Sequence, residues 1–457
     1  METLSFYYGF LSQFSSDFTL HHAHQSHRNR IIQKRLERII SFAKRNTEFY
    51  KKLYHGVSPN TPIDQYPIIS KKDMVDHFDK MVIDNRINQL SLKKYFSKPF
   101  DFDRRFLNKY LAFHTSGSSG NPAYVIWNNR DFGYSTANYF IKVRRFFFPH
   151  LSLRKLRALR VAYIGITDDY VGGNSWAAGL KRLCDLKIFS IFQKIESLVV
   201  ELNEFGPNLI MTKPSLLGEL ARLQGMGQLR IRPQHVVFAG EMINPVDSQA
   251  IKDNFGISVS NSYSTCESGP IAFQSDNGIQ SLEVFENMVK LELVDEENRS
   301  IRETGVYGDI VITNLYNTTM PVIRYRIGDR ACFLPSESKN LSISYIQGRN
   351  TSFFEFELKD RKLKVPEYLF WSLYVAGVQR YQVKQISVSS LKVYIEYEKG
   401  LTESSKSLVQ DRVFCKIKRI FDASLRALIE VEFEERSKIK PNKAGKIHIT
   451  FPMTFQN

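Results

Sequence analysis

Residues 114–122 read His-Thr-Ser-Gly-Ser-Ser-Gly-Asn-Pro. Thr115, Ser116, Ser118 and Ser119 can donate hydrogen bonds to phosphate oxygens. Gly117 and Gly120 let the backbone bend so that its N–H groups also point at an anion. No Gly-Lys-Ser/Thr follows, so this is not the phosphate loop of P-loop nucleotidases. Read alone, a Ser/Gly-rich stretch is a turn; what gives it chemical content is the order of motifs after it. These are Ala239-Gly240-Glu241, Ser262-Tyr263 leading to Cys266-Glu267, Tyr325-Arg326-Ile327-Gly328-Asp329, Gln347-Gly348-Arg349 and Gly445-Lys446. They supply carboxylates, an aromatic face and cations, the groups that hold a nucleotide and neutralise charge as its phosphate reacts.

In this order, the set resembles the adenylate-forming superfamily of acyl- and aryl-CoA ligases. Within it the resemblance is to phenylacetate–CoA ligase-like proteins, including the CapK type associated with capsular polysaccharide synthesis. The likeness covers nearly the whole chain and includes Leu36–Tyr50, the Tyr66-Pro67-Ile68-Ile69-Ser70-Lys71 stretch and the Tyr…Glu-x-Gly-Pro run at 263–270. It implies an ATP-dependent ligase that joins a carboxylate to AMP and then transfers the acyl group to an acceptor, most often the thiol of CoA. Two other readings stand beside it. One is an adenylate-forming transferase that acylates an amine or hydroxyl of a sugar or carrier; the other is a non-catalytic nucleotide-binding homologue.

Residue by residue, the resemblance implies that Thr115, Ser116, Gly117, Ser118, Ser119 and Gly120 cradle the β- and γ-phosphates. Glu267 is the implied Mg²⁺ ligand, since Mg²⁺ takes one or two carboxylates together with phosphate oxygens. Tyr263, next to Ser262, would lie against adenine. Gly240 would let the backbone approach the base, with Glu241 beside it. Asp329 would accept from the ribose hydroxyls, and Arg349 would reach the ribose or α-phosphate. Lys446 would neutralise charge between the attacking carboxylate and the α-phosphate. Taken singly, these are a core tyrosine, a surface glutamate, turn dipeptides and part of a solvated basic tail with Lys438, Lys440 and Lys443. The chain departs from many relatives at Ala123, where Lys or Thr is common, and at Asn350-Thr351-Ser352, where an aspartate usually follows Gly-Arg. Cys266 reads as a packed thiol. No cysteine-ligated zinc is expected, because Gln274 stands where such relatives carry a cysteine.

These residues need a scaffold. Ile32, Leu36, Ile39 and Ala43 recur at helical spacing within 31–50. Short buried strands are expected at 160–166 and 235–240, and helices near 176–190, 214–224 and 245–254. The alternation points to α/β layers. After Arg349 the pattern changes to strands at 381–388 and 391–397, a helix at 404–422 with Leu408, Val413, Ile417, Ile420 and Phe421 on one face, and a strand at 429–435. The expected architecture is an adenylate-forming ligase fold of α/β class. Residues 1–349 would form a large multi-layered N-terminal adenylation domain, and 350–457 a smaller α+β cap carrying the catalytic lysine. Walls of an acid pocket are expected from 134–140, 163–177 and 210–217.

Bulk properties bound the rest. At 457 residues the chain suits two or more domains. Its net charge of +16 favours anionic partners. No zinc-finger, basic-zipper or RNP motif accompanies that charge, so nucleic acid is not the expected partner. ATP, CoA or an acidic carrier fits the same field. No apolar run is long enough to span a bilayer, and the first residues lack a signal-peptide pattern. Four scattered cysteines suit a reducing compartment, and a cytoplasmic protein is expected.

Overall fold

The computed structural model describes residues 4–13, 24–58, 61–115, 122–147, 158–274, 281–335, 340–346, 353–358, 361–421, 423, 425–440 and 449–453. Helices come first: α1 (4–13), α2 (Gln25–Asn46), α3 (Glu48–Leu53), α4 (Lys71–Asp76), α5 (Phe78–Met81) and α6 (Gln89–Phe96). The expected apolar stripe buries Leu36, Ile39 and Ala43 of α2. Thr47 ends that helix and caps the next, its hydroxyl accepting from the Tyr50 N–H, so one expected helix becomes two.

A hairpin follows, β1 (Tyr110–His114) against β2 (Tyr124–Asn128), paired antiparallel from Tyr110–Asn128 to His114–Tyr124. Helix α7 (Asn129–Phe147) leads into the α/β region: β3 (Arg160–Gly165), α8 (Gly172–Leu180), β4 (Asp185–Ser190), α9 (Ile195–Phe205), β5 (Leu209–Thr212), α10 (Pro214–Gly225), β6 (His235–Phe238), α11 (Pro245–Phe255) and β7 (Val259–Thr265). The helix expected near 176–190 is corrected here. It runs only to Leu180, and 185–190 is a strand paired in parallel with β3 from Asp185 to Ser190. Leu183 and Cys184 are buried at the turn between them, and burial among neighbouring elements overrides the local helical spacing. Helices α10 and α11 both open on proline at the first turn and stand at the expected places.

The chain then becomes antiparallel: β8 (Gly269–Phe273), β9 (Ser281–Val284), β10 (Val289–Val294), β11 (Ser300–Ile301), β12 (Tyr307–Asn314), β13 (Tyr325–Leu334) and β14 (Ser342–Ser344). Among the described residues, these and the parallel strands form one twelve-stranded sheet in the order β11-β10-β12-β13-β14-β9-β8-β7-β6-β5-β3-β4. A continuous core runs from Phe10 to Ile343 across helices and sheet, and a second cluster from Ala162 to Ile251 fills the space under α9–α11.

Beyond residue 350 come β15 (Phe353–Leu358), β16 (Arg361–Pro366), β17 (Val378–Gln385), β18 (Ser390–Tyr397), α12 (Glu403–Ile420), β19 (Glu430–Glu435) and β20 (Thr450–Phe451). Strands β19-β18-β17-β20 make a separate four-stranded sheet. Its core, from Phe354 to Ile429, contains no residue of the preceding clusters. On α12 the buried face is Val409, Val413 and Ile417. Leu408, expected on that face, is instead exposed; the stripe that continues Val413 and Ile417 by four-residue steps passes through Val409. Among the described residues, two side chains of this unit reach the body through polar contacts. Arg380 donates to the Ser215 carbonyl at 3.2 Å, and Lys438 lies 3.2 Å from Glu219.

Candidate active site

The parallel strands β3, β5, β6 and β7 end on one edge of the sheet, the usual ligand edge of an open α/β fold. Three segments converge there. The first is the β1–β2 hairpin. His114, at the end of β1, forms a parallel bridge with Val171, and its N–H donates to the Tyr170 carbonyl at 3.0 Å. This docks the hairpin beside the segment that leaves β3. Thr115 closes the hairpin twice: its N–H donates to the Ala123 carbonyl at 2.9 Å, and its hydroxyl accepts from the Ala123 N–H at 3.0 Å. Ser116, Gly117, Ser118, Ser119 and Gly120 lie outside the described residues.

The second segment is the corner between β7 and β8. The Ser268 N–H donates to the Thr265 hydroxyl at 3.3 Å, and Gly269 has φ +73°. This tight turn turns Glu267 inward; it is 7% exposed. The neighbouring Cys266 thiol contacts the His114 carbonyl at 3.6 Å. The end of the β1–β2 hairpin and the corner that carries Glu267 are therefore brought side by side. Burial, with the Glu267 charge beside it, pushes the Cys266 thiol well above its usual range, so this is a protonated, packed thiol.

The third is the start of β13. The Tyr325 hydroxyl donates to Glu267 Oε1 at 2.9 Å. The Tyr263 hydroxyl donates to Asp329 Oδ2 at 2.8 Å. Strands β8, β9 and β14 separate β7 from β13 in the sheet order, so these two bonds require the antiparallel half to curl over. Residues four apart on each segment, 263 with 267 and 325 with 329, thus meet in two rungs. Gly328 has φ +91°, and a Cβ placed there would meet no atom within 4 Å. The backbone is open beside Asp329. The Tyr66–Ser70 stretch also finds its place: the Ile69 N–H donates to the Arg324 carbonyl and the Arg326 N–H to the Ile69 carbonyl, both at 2.9 Å.

Strand β6 ends at Phe238, and Gly240 turns with φ +81°. Glu241 faces Lys213 Nζ at 3.9 Å and accepts from the Ser215 hydroxyl at 3.3 Å. Ser262 is buried on β7 beside Tyr263. Arg349 and Lys446 lie outside the described residues. Sequence reasoning gave no role to Tyr325 or to the pairing of His114 with Asp169, Nε2 to Oδ1 at 2.8 Å. Both stand next to quoted motifs, but a hydrogen-bond partner more than fifty residues away leaves no local pattern. Among the described residues, no group of three His, Cys, Asp or Glu side chains is arranged to hold a metal, and no helix is long and apolar enough to cross a membrane.

Known proteins share this fold and part of this sequence. A 2-hydroxyisobutyryl-CoA ligase, solved in the postadenylation state with 2-HIB-AMP, matches 94% of this chain and 90% of its own with a TM-score of 0.69 at 17% identity. Protein CapK of Staphylococcus aureus is 22% identical over 349 residues, 70% of this chain and 68% of that protein. The phenylacetate-coenzyme A ligase of Escherichia coli K12 is 24% identical over 341 residues, 69% and 70% of the two chains. The chain thus shares the fold of these acyl-CoA ligases and is similar in sequence to CapK and to phenylacetate-coenzyme A ligases. No protein-family model matches it. Arg380 and Lys438 reach α10, which starts just beyond the end of β5.

Proposed function

We propose that the protein activates a small carboxylic acid with ATP and passes the acyl group to the thiol of CoA. The observation that carries this is the double rung Tyr325–Glu267 and Tyr263–Asp329. It fixes one carboxylate at the phosphate-loop stem and a second beside an open glycine, a separation of roles that suits a nucleotide's phosphates and its ribose. In the first step a carboxylate oxygen attacks the α-phosphorus and the bond to the β-phosphate breaks, releasing pyrophosphate. In the second the thiol sulfur attacks the acyl carbon and the bond to AMP breaks.

Thr115 and the loop it anchors hold the leaving phosphates. Tyr263 presents its ring to adenine while its hydroxyl orients Asp329 toward the ribose, with Gly240 and Glu241 on the β6 side of the base. Arg349 contributes charge near the α-phosphate, and Lys446 is delivered by the cap. Mg²⁺ fits the donor set, because one buried carboxylate plus substrate phosphates is its usual environment. Glu267 would hold it, and the ion would supply charge neutralisation at the phosphates. Holding Glu267 by one oxygen, Tyr325 leaves the other for the ion. The body would comprise residues 1–349 and the cap 350–457. The four cysteines are free, which suits the reducing cytoplasm.

The test is a panel of carboxylic acids assayed for pyrophosphate release with and without CoA. Acid-dependent release that CoA converts to continuous turnover supports the proposal. Release that only an amine or hydroxyl acceptor sustains would move the acceptor to a sugar or carrier. A folded protein that binds ATP and releases no pyrophosphate with any acid would be a non-catalytic homologue.

A further inference from the structure

His114 sits at the stem of the proposed phosphate loop, and its ring faces two groups that can only accept. Nε2 is 2.8 Å from Asp169 Oδ1, and Nδ1 is 3.0 Å from the Thr115 carbonyl oxygen. A neutral imidazole carries one N–H and would leave the other nitrogen's lone pair facing an oxygen. Only the doubly protonated ring satisfies both. The Asp169 end is fixed in turn: its Oδ1 accepts from the Tyr170 N–H at 2.7 Å, and its carbonyl accepts from Asn174 at 2.7 Å. We propose that His114 is a positioning residue held as an imidazolium, which pins the phosphate-loop stem to the loop after β3 and places a fixed positive charge one residue from Thr115. This rests on the ATP-binding reading above and identifies a cation that a loop without lysine brings to the phosphates.

The surroundings agree. The Phe96 ring of α6 meets the imidazole edge-on at 5.2 Å. Tyr124 of β2 is its cross-strand partner. The β7–β8 corner presents the Cys266 thiol to its carbonyl, with Glu267 next in the chain. The loop after β3 contributes Asp168, Asp169 and Tyr170, and among these groups Asp169 is the one bonded to the ring. Burial lowers the ring's proton affinity, but the Asp169 hydrogen bond, the Thr115 carbonyl and the Asp169 charge outweigh it and raise the pKa above the ordinary 6.5. The sign follows: the charge is present below that raised pKa and is lost as pH rises through it, so ATP affinity should fall on the alkaline side.

The test measures ATP affinity by calorimetry at about pH 6 and about pH 9, for the parent and for His114→Gln, which keeps a donor toward Asp169 and removes the charge. The parent should bind about tenfold more tightly at the lower pH, which corresponds to ATP raising the ring's pKa by about one unit. His114→Gln should match the parent at the higher pH and gain little at the lower one. A purely structural role would weaken the variant equally at both. In parallel, ¹⁵N resonances of the His114 ring in the unliganded parent should show both nitrogens protonated at neutral pH, and Asp169→Asn should move that titration to lower pH. A ring with one bare nitrogen at neutral pH, or a parent whose ATP affinity changes with pH no more than that of His114→Gln, overturns the inference. Absence of ATP binding at either pH would sink the ATP reading itself and the inference with it, while pH-indifferent binding removes only the inference.

Discussion

Asp329 and Glu267 stand in different surroundings although a tyrosine hydroxyl donates to each. Tyr263 bonds Asp329 beside an open backbone, and Tyr325 bonds Glu267 near the end of the β1–β2 hairpin. If Asp329 binds ribose, Asp329→Ala should weaken ATP by about 1–3 kcal/mol, the loss of hydrogen bonds to a charged group. Calorimetry checks this, and an unchanged affinity in a folded variant removes Asp329 from the ribose. Lys446 carries a different expectation. Its interaction is made when the acid attacks, so it should speed turnover and leave ground-state binding nearly alone. Lys446→Ala should slow pyrophosphate release by roughly 10²-fold, about 2.7 kcal/mol, with ATP affinity little changed. Lys443→Ala is the control; equal and small effects of the two would return Lys446 to a solvated tail.

At the scale of elements, the site depends on where strands end and turn. Gly328 interrupts β13 with φ +91°, a conformation that costs a residue with a Cβ about 1–2 kcal/mol. Space is not the obstacle there, so Gly328→Ala should lower thermal stability modestly and weaken ATP more than its stability loss explains, because Asp329 is re-aimed. A thermal melt beside an ATP titration reads both; an unaltered ATP affinity would mean that the open backbone has no part in binding. The same strand shows what the sequence made legible. The Tyr-Arg-x-Gly-Asp run is read as a nucleotide motif by resemblance alone, while β3, β6, α10, α11 and the cap strands stand close to where periodicity placed them. The β4 strand was missed because Leu186 and Ile188 fit a helical stripe as well as a strand, and parallel pairing with β3 decides between them. The curl that carries Tyr325 to Glu267 was missed because a long-range hydrogen bond has no period. The polar match of His114 with Asp169 was missed for the same reason.

On the scale of the whole molecule, two cores are joined by a stretch that adds no described side chain to either. Ile346 is the last residue packed on the body and Phe354 the first in the core of the cap. Limited proteolysis should cut first between about 348 and 360, since segments between independently packed units are the usual sites. First cleavage inside 115–330, with the junction resistant, would contradict a boundary there. Contacts between the two units include Arg380 to Ser215 and Lys438 to Glu219, polar contacts of the kind found between domains that move relative to one another. The central claim is that this sheet edge joins an acid to AMP. It is tested most directly by acid-dependent exchange of labelled pyrophosphate into ATP, because exchange needs a reversible adenylate and no acceptor. The account predicts that at least one small carboxylic acid supports exchange in the parent and that Lys446→Ala abolishes most of it. A protein that binds MgATP, stays folded and shows no exchange across a broad acid panel would contradict it.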